Sequence, residues 1–209
     1  MTEPVTRPEA VPSARKKDTR RDDGEKARTW WFTLTHRERG DRGALAELRR
    51  CRSPVDVLGI RPAIALARNL GVTDNSSDDR TRNVLDLARV LARVKEDDPK
   101  RRPMRVAGFQ KFVDPMAASA KSDEKPVLSE TRLARLLRTG EGEEKVMAFA
   151  RLIALLGGKI NVGALASDFL YWNHPAFGDG IRERWAFDYY AAGSAAPDTS
   201  NQHNEETEE

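Results

Sequence analysis

"LSETRLARLLRTG", residues 128–140, decides what kind of chain this is. At about 100° per helical residue, Leu133, Leu136 and Leu137 fall within one arc of roughly 100°, and Arg132, Arg135 and Arg138 spread over roughly 120° on the far side. Ser129 stands where an N-cap hydroxyl takes a free backbone N–H of the first turn. Glu130 suits the positive end of the helix dipole, and Gly140 can supply a left-handed residue to close the helix. The stretch predicts an amphipathic helix with a basic outer face.

The same period runs outward in both directions. "EEKVMAFARLIALLGG" (143–158) puts Val146, Phe149, Ala150, Ile153 and Leu156 on one stripe and ends at Gly157-Gly158. "NVGALASDFLYWNHP" (161–175) aligns Leu165, Phe169 and Trp172, and "GDGIRERWAFDYY" (178–190) aligns Ile181, Trp185 and Tyr189. Towards the N-terminus, "RTWWFTLTHR" (28–37) offers Trp30, Trp31 and Leu34 as an apolar patch. "GDRGALAELRRC" (40–51) has Asp41 as cap, with Ala44, Leu45, Leu48 and Cys51 opposite Arg42, Arg49 and Arg50. Ser53-Pro54 opens a further turn, and "RPAIALARNLG" (61–71) stops at Gly71. "RNVLDLARVLARVKED" (82–97) repeats Val84, Leu87, Ala88, Leu91 and Val94 at helical spacing. No stretch alternates as a strand does.

The expectation is an all-α chain: an N-terminal helical bundle over 28–96 and a C-terminal four-helix bundle over 129–193, joined by an irregular segment over 97–128. Residues 1–27 mix charges with almost no large apolar side chain and are expected to be a disordered extension; residues 194–209 are expected to be a disordered acidic tail.

The whole chain carries +3, but residues 28–193 hold 29 Lys and Arg against 22 Asp and Glu, and the tail holds five acidic residues and no Lys or Arg. A basic body with an acidic tail points to a polyanionic partner. A leader and a long apolar run are both missing, so the expectation is a cytoplasmic chain without a membrane span. Cys51 is the only cysteine, which excludes an internal disulfide and suits a reducing compartment.

Chemistry-bearing patterns are sparse. "GGKINVG" fails the phosphate-loop pattern, because Ile153 stands where the first glycine belongs and Ile160 where Ser or Thr belongs. His36 and His174 have no neighbour at metal-ligand spacing, and Cys51 sits on an apolar face as a buried thiol would. Trp172, Trp185, Tyr189 and Tyr190 could stack on bases, but their spacing matches the apolar stripes of their own helices, so core packing is expected. The expectation is no enzyme activity, no metal, no cofactor and no small-molecule substrate.

Basic clusters recur instead: Arg132, Arg135 and Arg138; Arg42, Arg49 and Arg50; and, in the joint, Lys100, Arg101, Arg102, Arg105 and Lys111. Arginine dominates, and its planar fork fits phosphate oxygens. This points to a nucleic-acid backbone surface, without a visible motif for reading bases.

The order of segments is specific. "WWFTLTHRERGDRGALAELRRCRSPVDVL", then "LSETRLARLLRTGEGEEKVMAFARLIALLGGKINVGALASDFLYWN", then "IRERWAFDYY" resemble the CasB family over roughly residues 28–192. That family is the small subunit of the type I-E CRISPR surveillance complex, Cascade. The resemblance implies two helical bundles and a non-enzymatic subunit, present as a head-to-tail pair with a second copy of itself. It implies contact with the other Cascade subunits that hold the guide RNA, and a basic surface that helps hold the R-loop of target and displaced DNA strands. The arginines inside the matching motifs are Arg39, Arg42, Arg49, Arg50, Arg132, Arg135 and Arg138; Arg105 and Lys111 join them on charge alone. Two other classes fit the residues: a helix-turn-helix regulator, or an interaction module whose arginines meet acidic proteins.

Overall fold

The computed structural model describes residues 14–107 and 126–191, with side chains over 19–107 and 126–190. In chain order the elements are α1 (Ala14–Thr35), α2 (Arg42–Arg50), α3 (Pro54–Val57), α4 (Arg61–Asn69), α5 (Asp78–Leu91), β1 (Glu96–Asp97) and α6 (Pro103–Ala107), then α7 (Glu130–Leu137), α8 (Glu143–Leu155), β2 (Lys159–Ile160), α9 (Val162–Leu170) and α10 (Gly178–Ala191). The chain is all-α, as its periodicity predicts. No helix among the described residues is long and apolar enough to cross a membrane.

Local chemistry sets most helix ends. Asp41 accepts the Ala44 N–H at 2.8 Å and starts α2. Ser53 and Asp56 form a reciprocal capping box around Pro54. Gly71, Gly157 and Gly158 take positive φ (71°, 70° and 84°) where their helices end. Two expectations differ. Ser129 occupies the N-cap position of α7 but makes no capping bond with its side chain. Gly140 is not left-handed; Gly142 is, at φ 70°, just before α8. The end of α7 is closed by a side chain instead. Thr139 donates its hydroxyl to the Arg135 carbonyl (3.0 Å), and its own carbonyl accepts the Trp172 indole N–H (3.1 Å).

The N-terminal boundary also needs correction. The reading of residues 1–27 as a disordered extension fails from Ala14 onward, because 14–27 form the first part of α1. That helix packs along α9 through small or polar residues: Asp23, Gly24 and Ala27 are buried. A Cβ on Gly24 would lie 2.5 Å from the Gly163 carbonyl oxygen, so the two backbones approach closely. A search for large apolar side chains cannot see such a contact.

The joint over 97–128 is likewise less irregular than expected at its start. Glu96 and Asp97 pair in parallel with Lys159 and Ile160, and α6 buries Pro103, Met104 and Ala107 while packing against α10. Strands of two residues are too short for alternation to register in a sequence. Lys111 and the acidic tail lie outside the described residues.

Buried residues from both sides of the joint form one contiguous core. α5 packs against α4, α8 and α9, and α1 runs along α9. The aromatic centre is tight: Phe149 meets Phe169 at 5.0 Å and Trp172 at 5.2 Å, and Trp172 meets Trp185 at 4.9 Å, in edge-to-face geometry. Trp172, Trp185 and Tyr189 are therefore core residues, whereas Tyr190 is about half exposed. Cys51 is half-buried, not buried as expected. Its thiol donates to the Glu47 carbonyl, and burial pushes its pKa up.

Candidate nucleic-acid interface

The leucine arc of α7 faces inward as its period requires: Leu133 and Leu136 are buried and Leu137 packs against the core. The opposite face is forced outward, and Arg132, Arg135 and Arg138 are exposed. All three line one open groove of about 880 Å³ between α7 and α8. The α8 wall contributes Glu144, Ala148, Arg151 and Leu155, at helical spacing. Leu128, Leu136 and Leu152 give the groove apolar surface beneath its charged rim. Four guanidinium groups thus stand around the groove against the single carboxylate of Glu144. Among the described residues none of the four arginines has an ion-pair partner. Arg135 and Arg138 also sit at the negative end of α7, where a cation is favoured.

Sequence reading finds three of these arginines and misses Arg151. Its signal is present: it lies seven residues after Glu144 on a face that leaves the apolar stripe, but a lone arginine in an apolar run draws no notice.

The other expected site residues are placed differently. Arg42, Arg49 and Arg50 are exposed on α2, and none of them lines the α7–α8 groove. Arg49 is tied into the fold, its Nε donating to the Ala92 carbonyl at 2.6 Å. Arg39 is exposed in the turn after α1, and its backbone N–H donates to His36 Nδ1. Arg105 shares Asp188 with Arg102, at 3.3 and 3.9 Å. The fold therefore gathers the α7 arginines into one place and leaves the α2 and α6 arginines outside it.

Two further grooves are not free basic surfaces. One, beside α1, α6, α9 and α10, sets Arg20, Arg21, Arg102 and Arg184 beside Glu25, Asp168 and Asp188; Asp168 takes Arg20 and Arg184, and Asp188 takes Arg102. The other, where α5 meets α8 and α9, mixes Arg52, Arg80 and Lys145 with Asp23, Asp86 and Glu143. Lys145 is buried there. Its ammonium donates to Asn83 Oδ1 at 2.7 Å and lies 4.3 Å from the Phe169 ring centre. Burial pulls its pKa down to about 8, with Glu141 and Asp86 opposing the shift.

The two described histidines serve turns: His36 Nδ1 accepts N–H bonds from Glu38 and Arg39, and His174 Nδ1 accepts one from Ala176. Among the described residues no group of three or more His, Cys, Asp or Glu side chains is placed to hold a metal ion.

Comparison with known proteins agrees with this architecture. The family model for CRISPR-associated protein Cse2 (CRISPR_cse2) matches residues 44–190. The chain belongs to that family, and the resemblance to CasB read from the sequence stands. CasB from Thermus thermophilus is similar in fold, with a TM-score of 0.55 at 20% identity, covering 80% of this chain and 97% of that one. A second solved structure, a CRISPR-associated protein of the Cse2 family also from Thermus thermophilus, is similar too, with a TM-score of 0.55 at 19% identity and the same coverage. No curated protein matches the chain significantly. Membership of the Cse2 family supports a place among the Cascade components.

Proposed function

We propose that this chain is the non-catalytic small subunit of a type I-E CRISPR surveillance complex, and that it holds nucleic acid by phosphate contacts in the α7–α8 groove. The observation that carries this reading is the convergence of Arg132, Arg135, Arg138 and Arg151 on one groove, without carboxylate partners among the described residues. Free guanidinium forks on a helical wall suit the repeating phosphates of a strand, which position the ligand without reading its bases. Sequence choice then falls to pairing with the guide RNA elsewhere in the assembly. In this role the chain sits beside other Cascade subunits and a second, head-to-tail copy of itself, and steadies the R-loop with its displaced DNA strand. Arg39, Arg42 and Arg50 extend the contact as a separate basic surface on and before α2.

The test uses the assembled complex carrying Arg132→Gln, Arg135→Gln and Arg138→Gln together. R-loop stability is followed from low to moderate salt. Each lost phosphate contact on a single strand lowers the log–log salt slope by about 0.7, so the triple variant is expected to lose about 2. An unchanged slope and affinity, in a complex that assembles normally, overturns the reading.

A further inference from the structure

We propose that the acidic segment 194–209 docks in the α7–α8 arginine groove of its own chain and competes there with nucleic acid.

Charge is the first argument. Several arginines of the fold have carboxylates of their own, such as Arg28 with Asp97, Arg89 with Asp86 and Glu143, Arg105 with Asp188, and Arg184 with Asp168. Those unpaired among the described residues, such as Arg42, Arg50 and Arg68, do not line this groove. The groove leaves four guanidinium groups to one glutamate. The segment 194–209 supplies Asp198, Glu205, Glu206, Glu208 and Glu209 and no Lys or Arg. Carboxylates and phosphates meet the same guanidinium fork in the same two-pronged way, so a surface suited to one suits the other.

Position is the second argument. Near the end of α10, Tyr189 donates its hydroxyl to the Leu128 carbonyl at 2.7 Å. Leu128 itself lines the groove. The end of α10 is therefore held beside Leu128, the lining residue just before α7. α7 has eight residues and is about 12 Å long. Asp198 lies seven residues beyond Ala191, a reach of up to about 24 Å, and Glu205 to Glu209 reach farther. The tether spans the α7 wall with slack, and a short tether sets an effective concentration in the millimolar range. Weak single ion pairs then suffice for docking.

Docking stands on the groove and the tail alone; the competition rests on the nucleic-acid reading above. The test compares the full chain with a variant carrying Asp198→Asn, Glu205→Gln, Glu206→Gln, Glu208→Gln and Glu209→Gln. Two readouts are taken at low salt: the NMR signals of the arginine Nε–H groups, and affinity for oligothymidylate. Docking is expected to shift the signals of Arg132, Arg135, Arg138 and Arg151 between the two proteins and leave Arg28 unmoved. The neutral-tail variant is expected to bind the oligonucleotide roughly three- to tenfold tighter. That gap is expected to close when Arg132, Arg135 and Arg138 are changed to Gln. Unmoved groove signals overturn the docking, whether or not the groove binds DNA. A shift that grows with protein concentration assigns the tail to a neighbouring copy and overturns the intramolecular form. If the groove signals move but the arginine variant binds oligothymidylate as well as the wild type does, docking holds and the nucleic-acid reading of the groove falls.

Discussion

Arg89 of α5 grips Glu143 at the first residue of α8 with both prongs of its guanidinium, Nη1 to Oε2 at 2.7 Å and Nη2 to Oε1 at 3.1 Å. The same group donates to Asp86 at 2.8 Å and to the Cys51 carbonyl at the end of α2. One buried cation thus ties α2, α5 and α8 together and orients the α8 wall of the groove. Arg89→Met leaves the Asp86 carboxylate buried without its partner, and the expected loss is about 3–5 kcal/mol in urea unfolding. Glu143 is half exposed, so Glu143→Gln is expected to cost about 1 kcal/mol or less. Equal losses in the two variants would mean that the buried charge is not what governs the cost.

The crossing of α1 and α9 makes an asymmetric prediction. An alanine Cβ at Gly24 meets the Gly163 carbonyl oxygen at 2.5 Å, and backbone cannot yield as a side chain can. Gly24→Ala is therefore expected to destabilise by about 1–3 kcal/mol, despite the better helix propensity of alanine. At Gly163 the nearest atoms stand at 3.4–3.6 Å, an ordinary contact, so Gly163→Ala is expected to be neutral or stabilising by up to about 1 kcal/mol. Thermal unfolding of the two variants checks the sign of each.

That crossing also shows where sequence reading reaches its limit. Leucine and aromatic stripes spaced at 3.6 residues mark α2, α5, α8 and α9 and the inner face of α7, because each buries a continuous row of large side chains. Residues 19–27 bury Asp23, Gly24 and Ala27 instead, and hold their place by polar ties such as Tyr171 hydroxyl to Asp23 at 2.8 Å and Arg20 to Asp168. Those partners lie nearly 150 residues away in sequence, where no local period connects them. The groove divides in the same way. Its α7 wall is legible as three arginines at spacing three, whereas Arg151 becomes a wall residue only once α8 lies beside α7. Arg49 and Arg105 carry the right charge, but tertiary partners, the Ala92 carbonyl and Asp188, engage them.

Stability is expected to depend on alkaline pH through Lys145 and Tyr171. Burial lowers the folded pKa of Lys145 to about 8 from an ordinary 10.5. Between those values the unfolded chain holds a proton that the folded chain has released, so stability rises as pH climbs from about 8. Burial, with the Asp23 hydrogen bond, raises Tyr171 to about 12 from 10.0. Between 10 and 12 the folded chain keeps a proton that the unfolded chain loses, and stability falls. The steepest slope from either group alone is about 1.4 kcal/mol per pH unit. Burial also raises Cys51 above an ordinary 9.0 and Tyr189 above 10.0, which adds to the falling limb, so urea unfolding across pH 7–11 is expected to show a maximum between about pH 9 and 10. Lys145→Met is expected to flatten the rising limb and leave the falling limb in place; a rising limb that persists in that variant excludes Lys145 as its source.

Arg151 and Arg49 separate the groove from the scaffold. Arg151 is exposed, lines the groove and has no ion-pair partner among the described residues, so Arg151→Gln is expected to leave stability within about 0.5 kcal/mol. In the assembled complex it is expected to reduce the salt slope on single strands by about 0.7, as a single α7 substitution does. Arg49 is also exposed but anchors the end of α5 through the Ala92 carbonyl at 2.6 Å. Arg49→Gln is expected to cost about 1–2 kcal/mol of stability, the worth of a charge-assisted hydrogen bond. Unfolding curves and salt titrations of the two variants place each arginine by what it loses. If Arg151→Gln leaves the slope untouched while the α7 substitutions reduce it, the strand follows α7 alone and the opposite wall merely borders it.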